Sequence, residues 1–173
     1  METIFSRLFL FFYGTKKVSN FEDLDDYLKF TRLDLATDEM YSKKGNYDLR
    51  KLYDKMLAGQ IQTPFRQFSS NESFLYRDGE FISTGLSLYF GSRKSKSIYI
   101  NFYEKDKEQS MARNLFVDDI HELYGYKNRY EIRLFGDKAT QVIFDFWYND
   151  ILLQNLAGQI ISQYLDIKDD KGN

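Results

Sequence analysis

The chain has no cysteine and one histidine, His121, among its 173 residues. Those two scarcities exclude a disulfide framework, a thiolate zinc site, a cysteine nucleophile and any centre built on several histidines. Proline occurs once and glycine ten times, and there is no low-complexity tract. Excess charge of one sign is also missing: the net charge is -2. Bulk charge therefore does not advertise nucleic-acid binding, which would need a local basic surface. No long apolar run is present either. Leu8 to Tyr13 is too short to cross a bilayer, Glu2 and Arg7 flank it, and no small-residue cleavage site follows. Neither a membrane span nor a secretory signal is expected, and the cytoplasm is the expected compartment.

Aromatic residues are abundant, with 16 Phe, 14 Tyr and 1 Trp, and hydrophobic residues reach 43%. That is enough apolar surface for one well-packed domain, and the length is too short for two. Ile4 to Tyr13 reads as a short helix or a buried strand, which periodicity does not separate. Phe21 to Lys29 reads as an acidic helix capped by Asn20, and Tyr47 to Ala58 as a helix stopped at Gly59. Strands are expected over Thr31–Ala36, Leu86–Phe90, Ser97–Tyr103 and Arg129–Leu134, with weaker ones over Thr63–Phe68 and Ser73–Tyr76. Arg77-Asp78-Gly79-Glu80 reads as a hairpin turn. A helix is expected over Glu104–Arg113, an acidic loop over Asn114–Lys127, and amphipathic helices over Lys138–Trp147 and Ile151–Leu165. A charged, frayed tail is expected from Asp166. The fold class is α+β, with an antiparallel or mixed sheet that has one polar face and helices packed on the other. The expected division is an N-terminal segment (1–29), a core (30–147) and a C-terminal helix with its tail (148–173).

Strand side chains alternate between faces. Asp34 lies opposite in parity to Leu33 and Leu35. Tyr99, Asn101 and Tyr103 oppose Ile98, Ile100 and Phe102, while Arg129, Glu131 and Arg133 oppose Tyr130, Ile132 and Leu134. If the apolar sets all face the helices, the polar sets converge. Two carboxylates on rigid strands, Asp34 and Glu131, suit a hard divalent cation such as Mg²⁺ or Mn²⁺. A tyrosine beside them can attack phosphorus, and arginine forks suit phosphate. An ordinary phenol ionises at about 10, so such chemistry needs a metal or a cation close by. The same alternation also fits a solvated sheet face on which Asp34 pairs with Arg32, and Glu131 with Arg129 and Arg133. His121, in a polar stretch beside Glu122, reads as a surface residue.

At these positions the sequence resembles the replication initiation factor family of Gram-positive rolling-circle plasmid initiators and conjugative-transposon relaxases. Phe30-Thr31-Arg32-Leu33-Asp34-Leu35-Ala36 resembles its first motif. Leu88 to Ser95, running on through Ile100-Asn101-Phe102-Tyr103-Glu104-Lys105-Asp106-Lys107-Glu108-Gln109, resembles the central segment. Lys127-Asn128-Arg129-Tyr130-Glu131-Ile132-Arg133-Leu134 resembles the third. The resemblance implies a metal-dependent DNA nickase that joins itself to a 5′ end through a tyrosine phosphodiester. That reaction starts rolling-circle replication or conjugative transfer of a mobile element. Tyr103 matches the nucleophile. Asp34 and Glu131 match the metal-supporting acids, with Mg²⁺ or Mn²⁺ as the implied cofactor. Lys105 falls on a lysine that follows the nucleophile, and Arg133 joins it in the implied catalytic set. Arg93, Lys94 and Lys96 form a basic turn before the Tyr103 strand that, with Arg129, would track single-stranded or cruciform origin DNA. A second copy and a helicase are further candidate partners, and a membrane is not. Relatives usually carry a substantial segment before the first motif, whereas 29 residues precede Phe30 here, so a short or partial member is implied. The competing expectation is a non-catalytic remnant or accessory module of a mobile element that binds DNA or protein.

Overall fold

The computed structural model describes residues 28–149 and 153–167, so the expectation for Ile4–Tyr13 lies outside the described residues, as does that for Phe21–Lys29 apart from Leu28 and Lys29, which are not helical. Five strands form an antiparallel sheet: β1 (Arg32–Met40), β3 (Phe68–Arg77), β4 (Glu80–Phe90), β5 (Ile98–Glu104) and β6 (Tyr126–Phe135), in the spatial order β1-β6-β5-β4-β3. β5 sits in the middle, with β6 on one side and β4 on the other. β2 (Ile61–Gln62) and β7 (Asp166–Ile167) form a separate two-stranded pair. The helices are α1 (Leu49–Leu57), α2 (Lys105–Arg113), α3 (Val117–Leu123), α4 (Asp137–Asn149) and α5 (Leu153–Tyr164).

The apolar parity of each strand faces the helices. Leu88, Phe90, Ile100, Ile132 and Leu134 are fully buried, and they join Leu49 and Leu52 of α1, Ala139 and Val142 of α4, and Leu156 and Ile160 of α5 in one core. α1 begins where the Asp48 side chain accepts the backbone N–H of Arg50 at 2.8 Å. It ends before Gly59, whose φ of 70° closes the last turn through Gln60 N–H to the Lys55 carbonyl.

Several expectations need correction. β1 runs four residues past Ala36, because β6 supplies partners for the polar stretch Thr37–Met40 up to an irregularity at Glu39/Met40. Cross-strand pairing overrides the low strand propensity of Asp and Glu. Glu39 is the anchor on the helix side. It accepts from the Asn46 amide at 2.9 Å, the Tyr47 N–H at 2.9 Å, the Asn128 amide at 2.7 Å and the Tyr130 hydroxyl at 2.7 Å. Burial pushes its carboxyl up, but these four donors outweigh it and hold the group below the usual carboxylate range. A carboxyl depressed in the folded state adds stability that is present above the unfolded value. That contribution is lost as pH falls through the folded one. Glu39→Gln is expected to flatten the acid limb of the stability curve, checked by urea midpoints between about pH 7 and about pH 3; parallel limbs in both proteins would remove this role.

Thr63–Phe68 is not a strand. Ile61–Gln62 pairs with β7 instead, so Asp166 and Ile167 belong to a strand pair and not to a frayed tail. The hairpin turn is where the sequence puts it: Asp78 and Gly79 both take positive φ, as a two-residue hairpin turn requires. β4 pairs with β5 only over Ser87–Phe90. The outer half of the β3–β4 hairpin is therefore paired only with itself, and it exposes Phe74, Tyr76 and Phe81. The Asn114–Lys127 stretch is not all loop. It contains α3, with Asp118 and Asp119 in its first turn and fully buried Ile120 as its single apolar anchor. Seven residues with one buried side chain leave little periodicity to detect.

Candidate active site

The strand register brings the polar sets onto one face. Asp34 lies opposite Arg133, Ala36 opposite Glu131 and Asp38 opposite Arg129 across β1 and β6. Across β6 and β5, Arg133 lies opposite Tyr99, Glu131 opposite Asn101 and Arg129 opposite Tyr103. Ser87 of β4 faces Tyr103 from the other side. The face is thus a grid with Tyr103, Asn101, Glu131 and Arg129 as immediate neighbours.

Two clusters stand on the grid. In the first, Arg133 donates to Glu131 at 2.7 Å and lies 3.8 Å from Asp34. Arg32 holds Asp34 from the outer side by a two-pronged contact. In the second, Arg129 forms a fork on Asp38, Nε to Oδ1 at 2.5 Å and the terminal nitrogen to Oδ2 at 2.6 Å. Asp38 raises the guanidinium above its ordinary value against partial burial, and the phenol of Tyr103 adds a smaller contribution in the same direction. Lys105 Nζ lies 5.5 Å from the centroid of the Tyr103 ring, and its ammonium is held by Glu108 at 2.5 Å. Lys105 is 7% exposed, so it is not a solvated strand-end lysine.

Asp34, Glu131 and Arg133 therefore come together, as do Tyr103, Lys105 and Arg129, and the two groups adjoin on one face. Arg129 pairs with Asp38 and not with Glu131. Asp38 escaped the sequence reading because the strand was expected to end at Ala36; continuing the Asp34–Ala36 alternation by one step would have found it. Arg93, Lys94 and Lys96 are exposed at the opposite end of β5. Arg93 reaches back onto the grid, donating to the Tyr99 hydroxyl at 3.3 Å and lying 4.6 Å over the Tyr89 ring. His121 is not a surface residue: its side chain is 12% exposed and its Nε2 is 2.8 Å from Asp106, which is fully buried.

For a metal, the donor set is two carboxylates and an amide. No group of three or more His, Cys, Asp or Glu ligands is gathered among the described residues. The Asn101 Oδ1 is buried without a hydrogen-bond partner and lies opposite Glu131 in the register. Ala36, across from Glu131 on the other side, contributes only a methyl group beside it. Hard oxygens from Asp34, Glu131 and Asn101 fit Mg²⁺ or Mn²⁺.

An open antiparallel sheet with α1, α4 and α5 on one face, and on the other a tyrosine set among guanidinium, ammonium and carboxylate groups, is an architecture suited to phosphate chemistry. The chain is similar to a rolling-circle replication initiator from Geobacillus stearothermophilus, with a TM-score of 0.62 and 27% identity over 80% of this chain and 46% of that one. It is 38% identical over 140 residues to the Bacillus subtilis (strain 168) protein assigned as DNA relaxase NicK, covering 81% of this chain and 37% of the relative. Residues 28–173 match the model of the replication initiation factor family, and the chain belongs to that family. It spans less than half the length of either relative. Among the described residues no helix is long and apolar enough to cross a membrane.

Proposed function

We propose that the chain nicks one DNA strand and becomes joined to its 5′ end through Tyr103. The observation that carries this reading is the surroundings of Tyr103: its ring is flanked by Lys105 and its phenol by Arg129, one grid position from Glu131 and Asn101. The phenol oxygen forms a bond to phosphorus as the bond to the 3′ oxygen breaks. The phenol proton passes to solvent and the departing 3′ oxygen takes one up. Arg129, already fixed by Asp38, presents its remaining positive edge to a phosphate, and Lys105 stabilises negative charge at the phenol oxygen. A divalent ion on Asp34, Glu131 and Asn101 would polarise the phosphoryl oxygens. Arg133 keeps the two carboxylates together before it binds.

The test uses labelled single-stranded oligonucleotides that tile the coding sequence and the DNA just upstream of it. Incubation with Mn²⁺ followed by a denaturing gel should give a covalent protein–DNA band. A second reading is a non-catalytic DNA- or protein-binding module. That reading predicts retarded DNA on a native gel with no covalent band at any metal concentration.

The DNA strand is proposed to run from the nucleophile along β5 to the turn at Arg93, Lys94 and Lys96. Each phosphate contact on a single strand contributes about 0.7 to the slope of log K against log salt. Neutralising all three residues should lower that slope by roughly 2. Binding measured at several salt concentrations checks this, and an unchanged slope would place the path elsewhere.

A further inference from the structure

We infer that Asp106 is a positioning residue, buried between His121 and Lys127, that fixes Lys105 against the Tyr103 ring and so acts on strand transfer and not on DNA binding. The inference rests on the reading of Tyr103 as the nucleophile. Asp106 has no exposed surface. Its Oδ1 accepts the backbone N–H of Lys107 at 2.7 Å, at the start of α2 where helix N–H groups lack intrahelical partners. Its Oδ2 receives Lys127 Nζ at 2.7 Å and meets His121 Nε2 at 2.8 Å. The His121 ring stacks on Tyr41, with centroids 3.9 Å apart and planes 5° from parallel. Its other nitrogen lies 4.0 Å from the fully exposed carboxylate of Asp118.

One carboxylate thus ties together the first turn of α2, His121 of α3 and Lys127 of β6, and His121 passes the link on to Tyr41, just past β1; α2, β6 and β1 each carry a neighbour of the nucleophile. Lys105 precedes Asp106 directly. Arg129 lies two residues after Lys127 on β6, just beyond the irregularity in its pairing with β1. Asp38 lies a few residues before Tyr41 on β1. The chain leaves β5 at Glu104 and turns at once into α2, so the direction of the Lys105 side chain depends on how the first turn of α2 is held. The α2 N-cap residue, Glu104, makes no side-chain cap and spends its carboxylate on the Leu86 N–H and on Lys107. Glu104 thus holds the turn to β4, and Asp106 is the group that docks it onto β6 through Lys127.

The experiment is a double-mutant cycle on the full chain, using a tiled oligonucleotide that forms the wild-type adduct. Single-turnover adduct formation is measured at saturating DNA, and affinity is measured separately in a Tyr103→Phe background. Asp106→Asn should slow adduct formation by about tenfold to a hundredfold, the scale of a misplaced catalytic group. Affinity should stay within about twofold. In a Lys105→Met background the same substitution should add no further loss beyond about twofold, because the group it positions is gone. His121→Asn, a milder change should Asp106→Asn fail to fold, should show a smaller loss with the same absence of additivity. Losses that multiply, or an adduct rate unchanged by either variant, would overturn the inference and leave Tyr103 in place. A wild-type chain that forms no adduct would overturn the nickase reading and this inference with it.

Discussion

Tyr103→Phe yields a folded protein that still binds single-stranded DNA and forms no covalent adduct. The substitution removes one oxygen. The ring stays beside Lys105, Arg129 keeps its fork on Asp38, and no core residue is touched. Tyr103 is only partly buried, so loss of its hydroxyl should change stability by no more than about 1 kcal/mol. The effect on chemistry is of another order, since the atom that forms the new bond is absent. The adduct should fall below detection on a denaturing gel while the native gel shift persists. Tyr99, on the same face, is a poor substitute: it is 2% exposed, and burial pushes its phenol up. An adduct formed by the Phe variant would move the nucleophile to another residue and dismantle the site as described.

The second large effect is expected at the carboxylates. Asp34→Asn and Glu131→Gln should each weaken Mn²⁺ binding by at least about tenfold, since loss of ligand charge acts directly on a hard cation. Binding can be followed without catalysis, from the signal of free Mn²⁺ in electron paramagnetic resonance. DNA affinity should hold or rise, because negative charge beside phosphate is removed. Glu131→Gln also removes one of the two carboxylate charges beside Arg133, leaving Asp34 at 3.8 Å as its remaining counter-ion. Unchanged Mn²⁺ half-saturation in both variants would return Asp34 and Glu131 to the role of ion-pair partners for Arg32 and Arg133.

Much of this site could be read from alternation. Ile98 to Tyr103 and Arg129 to Leu134 carry strict period-two patterns, so their faces were assignable, and the register sets Tyr103 against Arg129 with no slip. What the sequence hid has physical causes. The Asp38–Arg129 fork depends on strand pairing that extends β1 through two poor strand formers, Asp38 and Glu39. Burial of His121 depends on α3, a helix with a single apolar anchor. The fate of Asp106 was invisible because a carboxylate two residues into a helix is ordinarily solvated, and only tertiary packing brings Lys127 and His121 to it. Partners within a strand, such as Arg32 with Asp34, were accessible from spacing alone.

The sheet order has a consequence for the newly made chain. The nucleophile's strand is central, yet its neighbour β6 is the last of the five strands to be synthesised, and β6 in turn pairs with the first. The Arg129–Asp38 ion pair beside Tyr103 joins residues 91 positions apart. Contacts of such long range close late, after the local hairpins have formed. Once β5 has left the ribosome and before β6 has, β3, β4 and β5 can pair as consecutive hairpins and present Tyr103, but without Arg129 or Glu131 and with β1 still lacking its β6 partner. On the proposed reading, an unfinished chain carries the Tyr103 hydroxyl without Arg129 and Glu131, and strand transfer would wait until translation had passed Phe135.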